Sequence, residues 1–162
     1  MKKTVEMNAE MVDVLFAQNR CRFTRLNITK LKKEFAVFFD CVGLFEADGD
    51  KCFSTKNCFQ PDSSGSNDIV DITAWEWDNN EIFLDKSIIG KDYRKAIKYA
   101  LEIIEVALIN CYSGNSFYIF ISVQKGEMRN INIRIFLNRG MPYVDYDVEK
   151  YKQPVLIEML ET

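Results

Sequence analysis

Two runs of alternating bulky residues restrict the fold of this chain more than any other feature of its sequence. Phe117, Ile119, Ile121 and Val123 alternate with Tyr118, Phe120 and Ser122, and Ile131, Ile133, Ile135 and Leu137 alternate with Asn132, Arg134 and Phe136. A period of two puts each apolar set on one face of a strand. The two sets share a face only if Ile121 stands opposite Ile133 and Ile119 opposite Ile135, because a slip of one residue turns every side chain over. That register demands an odd connection of three or five residues around Lys125 to Arg129, whereas a four-residue loop sets Ile121 against Asn132. Arg139-Gly140 then leads to Tyr143, Val144 and Tyr146, which predicts a closing three-stranded meander.

The strongest helical signal lies just upstream. Tyr93, Ala96, Ile97, Ala100, Leu101, Ile104, Leu108 and Cys111 form one stripe from Asp92 onward, and Ser113-Gly114 supplies the stop. Ile103, Val106 and Ile109 make the far half apolar nearly all round, so cover on more than one side is expected. An amphipathic helix is expected over Thr4 to Gln18 from Val5, Ala9, Val12, Leu15 and Phe16. After Ile28 a short helical turn precedes a strand that ends at Asp48-Gly49-Asp50, with CFST returning as a hairpin. PDSSGSND, residues 61–68, reads as an exposed connection.

IVDITAWEWDNNEIFLDK reads as two strands joined at Asn79-Asn80. Pairing across that turn sets Trp77 opposite Ile82 and Trp75 opposite Leu84 on a buried face. It sets Glu76 opposite Phe83 and Asp78 opposite Glu81 on a wet, acidic one. The chain closes in a short helix from about Pro154 to Glu161. The fold class expected is α+β: a mostly antiparallel sheet of hairpins and a C-terminal three-stranded meander, packed by one long central helix and an N-terminal helix. With 162 residues, 48% of them hydrophobic, a single globular domain over 1–162 is expected.

Charge is sorted along this framework. From Asp40 to Asp85 eleven acids face two bases, Lys51 and Lys56, while the flanks are net +4 and +2, so a total of −3 hides a strongly acidic middle. Such a block attracts basic partners at long range. The outward residues Asp71, Glu76, Asp78, Glu81 and Asp85, with Asp48 and Asp50, are the predicted partner-binding set.

A second candidate patch is the other face of the meander. The derived register sets Phe120 beside Arg134 and Arg134 beside Asp145, with Tyr118, Phe136 and Tyr143 in an aromatic row. Arg and aromatics are favoured at binding hot spots. The structural alternative is a helix packed on this face with Arg134 to Asp145 as a cross-strand ion pair at its edge.

Histidine is absent, which removes the commonest general base and zinc ligand and argues against an enzyme. Five cysteines, Cys21, Cys41, Cys52, Cys58 and Cys111, contain no CxxC pair, so they are expected reduced and mostly structural, with Cys52 and Cys58 close enough for a weak metal or redox reading. Glu46, Asp48 and Asp50, or Asp145, Asp147 and Glu149, have the spacing to present three carboxylates to a hard cation, which is the basis of an alternative carboxylate-dependent enzyme. Turn chemistry explains both sets equally well. No phosphate-binding glycine loop is present, and no cofactor is expected. Lys91, Arg94 and Lys98 offer a small basic face for a nucleic-acid binder, against the simpler reading of a solvated helix face. No apolar run is long enough for a membrane span and the start lacks a signal-peptide pattern, so a cytoplasmic site with no membrane partner is expected.

The acidic stretch Asp62 to Asp85, the Trp-rich segment, the closing meander and the ending KYKQPVLIEMLE together resemble the immunity proteins of bacterial polymorphic-toxin and contact-dependent growth inhibition systems. What the resemblance implies is a protein that binds and neutralises a cognate toxin, typically a basic nuclease domain, by steric and electrostatic blocking.

Overall fold

The computed structural model describes residues 2–16, 25–47, 49–55, 72–140 and 147–162. It is α+β. One antiparallel sheet has five strands in the order β1 (Lys2–Met7), β7 (Val155–Glu161), β5 (Ser116–Gln124), β6 (Asn130–Leu137) and β4 (Glu81–Asp85), and β2 (Val42–Ala47) with β3 (Asp50–Thr55) form a separate hairpin. The helices are α1 (Ala9–Phe16), α2 (Ile28–Cys41), α3 (Ile72–Asn79), α4 (Lys86–Ile89) and α5 (Tyr93–Cys111), with a 3₁₀ turn at Val148–Lys150.

The central register is the one the alternation demands. Ile119 pairs with Ile135 and Ile121 with Ile133, across the odd connection 125–129. The apolar face so formed, Phe117 to Val123 and Ile131 to Leu137, packs on Ala96, Ile97, Ala100, Ile104 and Leu108 of α5, with Met11 and Val14 of α1 and Leu31, Phe35 and Phe38 of α2 in the same cluster. α5 begins at an Asp92 cap whose carboxylate accepts from Lys95 N at 3.0 Å. It is not covered all round: Val106 is 58% exposed. The β2–β3 hairpin also forms, with Gly49 at φ +85° in its turn. Among the described residues no helix is long and apolar enough to cross a membrane.

Besides α2, a 14-residue helix that runs through FAVFFDC to Cys41 where a short turn and then a strand were expected, three sequence expectations are overturned. The first helix does not start at Thr4. Residues 2–7 form a strand, and Asn8 starts the helix by accepting from Met11 N at 3.0 Å while its amide donates to Tyr151 O and Gln153 O at 3.2 and 2.8 Å. The buried residues of α1 are accordingly Met11 and Val14, and Val12 and Phe16 stay exposed. The end of the chain is a strand, inserted between β1 and β5, with Val155 to Glu158 buried consecutively. A strand covered on both faces loses its alternation, so VLIEMLE imitates a helical pattern.

The third correction concerns the Trp segment. Residues 72–79 are helix, not strand, so Trp75 and Trp77 do not pair with Leu84 and Ile82. The alternation of β4 was read correctly, Ile82 and Leu84 inward and Phe83 outward, but its partner is β6. The third meander strand predicted at Tyr143 to Tyr146 falls outside the described residues, as do Asp48, Asp71, Asp145, the 61–68 connection, Cys21 and Cys58. In the described sheet the second neighbour of β5 is β7.

Candidate interaction surface

The helical turn through α3 sorts its acids by direction. A residue one step along a helix turns by about 100°, so Glu76 points away from its neighbours where a strand would have kept it on the Asp78 side. Glu76 is fully buried. Its carboxylate accepts from Phe53 N of β3 at 2.6 Å, from Leu137 N of β6 at 2.8 Å and from both terminal nitrogens of Arg139 at 2.6 and 3.0 Å. Arg139 also donates to Lys51 O at 2.6 Å and Thr73 Oγ1 at 3.1 Å. Burial works against the Arg139 charge, but hydrogen bonding and charge attraction from Glu76, with Cys52 and Asp50 adding, together raise the guanidinium pKa further. Asn80, expected as a hairpin turn, instead donates to Phe53 O and, at 3.0 Å, to Ile135 O. These two side chains join the small hairpin to the main sheet. Glu76 is therefore a structural clamp and is removed from the partner-binding set.

The other described acids of the middle segment face out. Asp40, Glu46, Asp50, Asp78, Glu81 and Asp85 are all exposed. Asp85 has a local duty as well, capping α4 by accepting from Ser87 N at 2.7 Å and Ile88 N at 3.2 Å; hydrogen bonds from Ser87 hold its carboxyl below the ordinary value. Glu46 stands opposite Lys51 in the hairpin register, next to the Ala47–Asp50 pair. Phe83, 53% exposed, stands between Glu81 and Asp85 on the outer face of β4.

The second patch is only partly open. Arg134 does lie opposite Phe120, as the register requires, but Phe120 is 3% exposed and Phe136 is fully buried. Trp77 of α3 covers both, with ring centroids 4.8 and 5.7 Å away, and Tyr151 meets Phe120 at 5.5 Å. Tyr118 stacks on Phe136 at 5.6 Å. The Arg134 guanidinium rests 4.6 Å from the Trp77 ring centroid, and its Nη2 approaches Glu81 Oε1 at 3.4 Å. The Asn132 amide donates to the same carboxylate. A helix does cover this face, and the described ionic partner of Arg134 is Glu81. Beyond the covered part, Tyr118, Ile157 and Met159 with Thr4 and Glu6 line an open hollow of about 230 Å³.

The lysine-rich start of α5 is paired within its own helix, Lys95 with Asp92 at 3.5 Å and Lys98 with Glu102 at 3.8 Å. Of the described cysteines Cys52 is buried, and Cys41 and Cys111 are exposed.

Sequence reasoning missed one ionic cluster. Glu158 of β7 is fully buried, and Lys3 of β1 bridges it at 2.8 Å to Glu105 of α5 at 2.5 Å. Its only trace in the sequence is Glu158, an acid set among the apolar residues of VLIEML. Burial pushes the Glu158 carboxyl above its ordinary 4.5, with Lys3 opposing and Glu105 adding to the rise. A folded state that holds the proton more tightly than the unfolded chain is favoured at low pH. The contribution of Glu158 is thus lost as pH rises from about 4.5 through the folded value. Glu158→Gln is expected to be no less stable than the parent at neutral pH and to lack this fall. Urea unfolding of both proteins across a pH series checks it, and a variant that loses stability in parallel with the parent refutes it.

No family model, no curated protein and no solved structure matches this chain.

Proposed function

We propose that this chain is an immunity protein that binds a basic cognate toxin domain in the cytoplasm and blocks it by occlusion and electrostatic complementarity, without catalysis. The observation that supports the reading is the outward placement of the acidic segment: of its described acids only Glu76 is turned inward, and Asp40, Glu46, Asp50, Asp78, Glu81 and Asp85 face solvent. A sorted field of this kind accelerates encounter with a basic partner and loses effect as salt screens it. The interface is centred on Asp78, Glu81 and Asp85, with Asp50 at its margin.

Asp78→Lys combined with Glu81→Lys tests it, since both sites are exposed and Glu81 gives up only its contacts to Arg134 and Asn132 at the surface. The partner to use is the C-terminal domain encoded by the adjoining upstream gene. Association is expected to slow by about tenfold or more at low salt, with the difference shrinking at high salt. Unchanged kinetics at low salt would reject the acidic surface as the interface.

A further inference from the structure

The strand that carries these acids also ends the sheet. Among the described residues β4 is paired with β6 alone. Ile135 N donates to Asn80 O, which sets the parity of the ladder: residues 80, 82 and 84 bond to β6, and the N–H and C=O groups of Glu81 and Phe83, with the N–H of Asp85, point outward along the edge. These are the residues whose side chains are exposed on the outer face, an aromatic between two carboxylates.

An open edge is a template for another strand, and its side chains select which one. A second copy is disfavoured. A twofold antiparallel pairing of β4 about Phe83 sets Glu81 against Asp85 twice, and like charges directly opposite are destabilising. A basic segment meets the opposite situation.

We propose that β4 is the docking edge for the partner, which adds an extended segment beside it in which Lys or Arg side chains flank Glu81 and Asp85 and an apolar side chain between them covers Phe83. This rests on the reading of the acidic surface as the partner-binding one. Main-chain hydrogen bonds to Glu81 and Phe83 supply the register, and alternate charges supply the selection.

The test uses the full chain, labelled for amide resonances, and two synthetic peptides of equal composition and charge. In one, lysine and valine take turns at every second position with threonine between them, as in KTVTKTV, so that both fall on the same face of the strand; in the other the lysines form one block. The alternating peptide is expected to shift the amides of Glu81, Phe83 and Asp85 and to bind about tenfold more tightly than the block peptide. Phe83→Ala is expected to weaken it about tenfold, as loss of an interface aromatic does. Phe83→Pro removes the same ring and also an N–H that the β4–β6 ladder does not use, so it is expected to weaken binding further than Phe83→Ala.

Should the proline variant not fold, N-methylation of the alternating peptide gives the same answer from the other side. Methyl groups on one alternate set of its amides abolish binding, and on the other set they do not. Equal binding of the two peptides, equal affinities of the alanine and proline variants, or shifts that map away from β4 overturn strand addition. If Asp78→Lys with Glu81→Lys still weakens both peptides, the acidic-surface reading stands without it. If that double variant changes neither, the reading itself falls.

Discussion

Glu76→Ala is expected to lower the unfolding free energy by about 3–5 kcal/mol, the range for breaking a buried ion pair by removal of one partner. The truncation leaves three groups stranded. The Arg139 guanidinium loses its bidentate acceptor, and Phe53 N and Leu137 N lose the oxygens that accept from them. Leaving a buried N–H unsatisfied costs about 1–3 kcal/mol by itself. Glu76→Gln keeps an acceptor oxygen and the shape, so its cost is expected to be clearly smaller. Urea titration of the three proteins decides the matter: a loss under about 1 kcal/mol for Glu76→Ala would show that the clamp does not hold the two sheets together.

Phe53→Ala is expected to cost a comparable amount, about 3–5 kcal/mol for a fully buried phenylalanine. Its ring meets Tyr112 at 5.1 Å, Phe117 at 5.2 Å and Phe38 at 6.5 Å, edge to face in each case, so it joins the hairpin to α2, α5 and β5. Its backbone is held as well, the N–H by Glu76 and the C=O by Asn80. The two sites therefore share one junction, and their costs are not expected to add. Once Phe53→Ala has loosened β3, Glu76→Ala has less left to lose, and the double variant is expected to fall short of the sum by about 1 kcal/mol or more. Strict additivity would mean that ring packing and the carboxylate clamp act independently. Tryptophan fluorescence and backbone circular dichroism, followed in the same titration, report whether the hairpin leaves before the main sheet does.

The elements that the sequence predicts well are those whose patterning is tied to one neighbour. β5 and β6 each carry one buried set against one partly covered set, so period and register were both readable, as was the stripe of α5. β7 sits between two strands with cover on both faces, and the buried run that results has no period to read. α3 misled for a different reason. Trp75, Trp77 and the Asn79-Asn80 pair favour a hairpin locally, and the competing contacts are all distant: Glu76 to Leu137 and Arg139, Asn80 to Ile135, Trp77 to Phe120 and Phe136. Tertiary bonds outweigh local propensity there. The candidate surface followed the same division. Glu81 and Asp85 were correctly placed outside because β4 alternates; Asp78 lies outside although its segment proved to be a helix, and the same helix turned Glu76 into the core.

The position of β7 sets the timetable by which the protein is made. Lys2 pairs with Glu161 and Met7 with Leu156, so β1 acquires its neighbour only after residues 155–161 have been synthesised. Until then β5 has β6 on one side and nothing on the other, and β1 has no place in the sheet. Contacts this distant along the chain slow the search for the native state and leave strand edges exposed while it proceeds. A nascent chain stalled before residue 155 thus leaves β1 unplaced and one side of β5 bare, a substrate for chaperones and for aggregation alike.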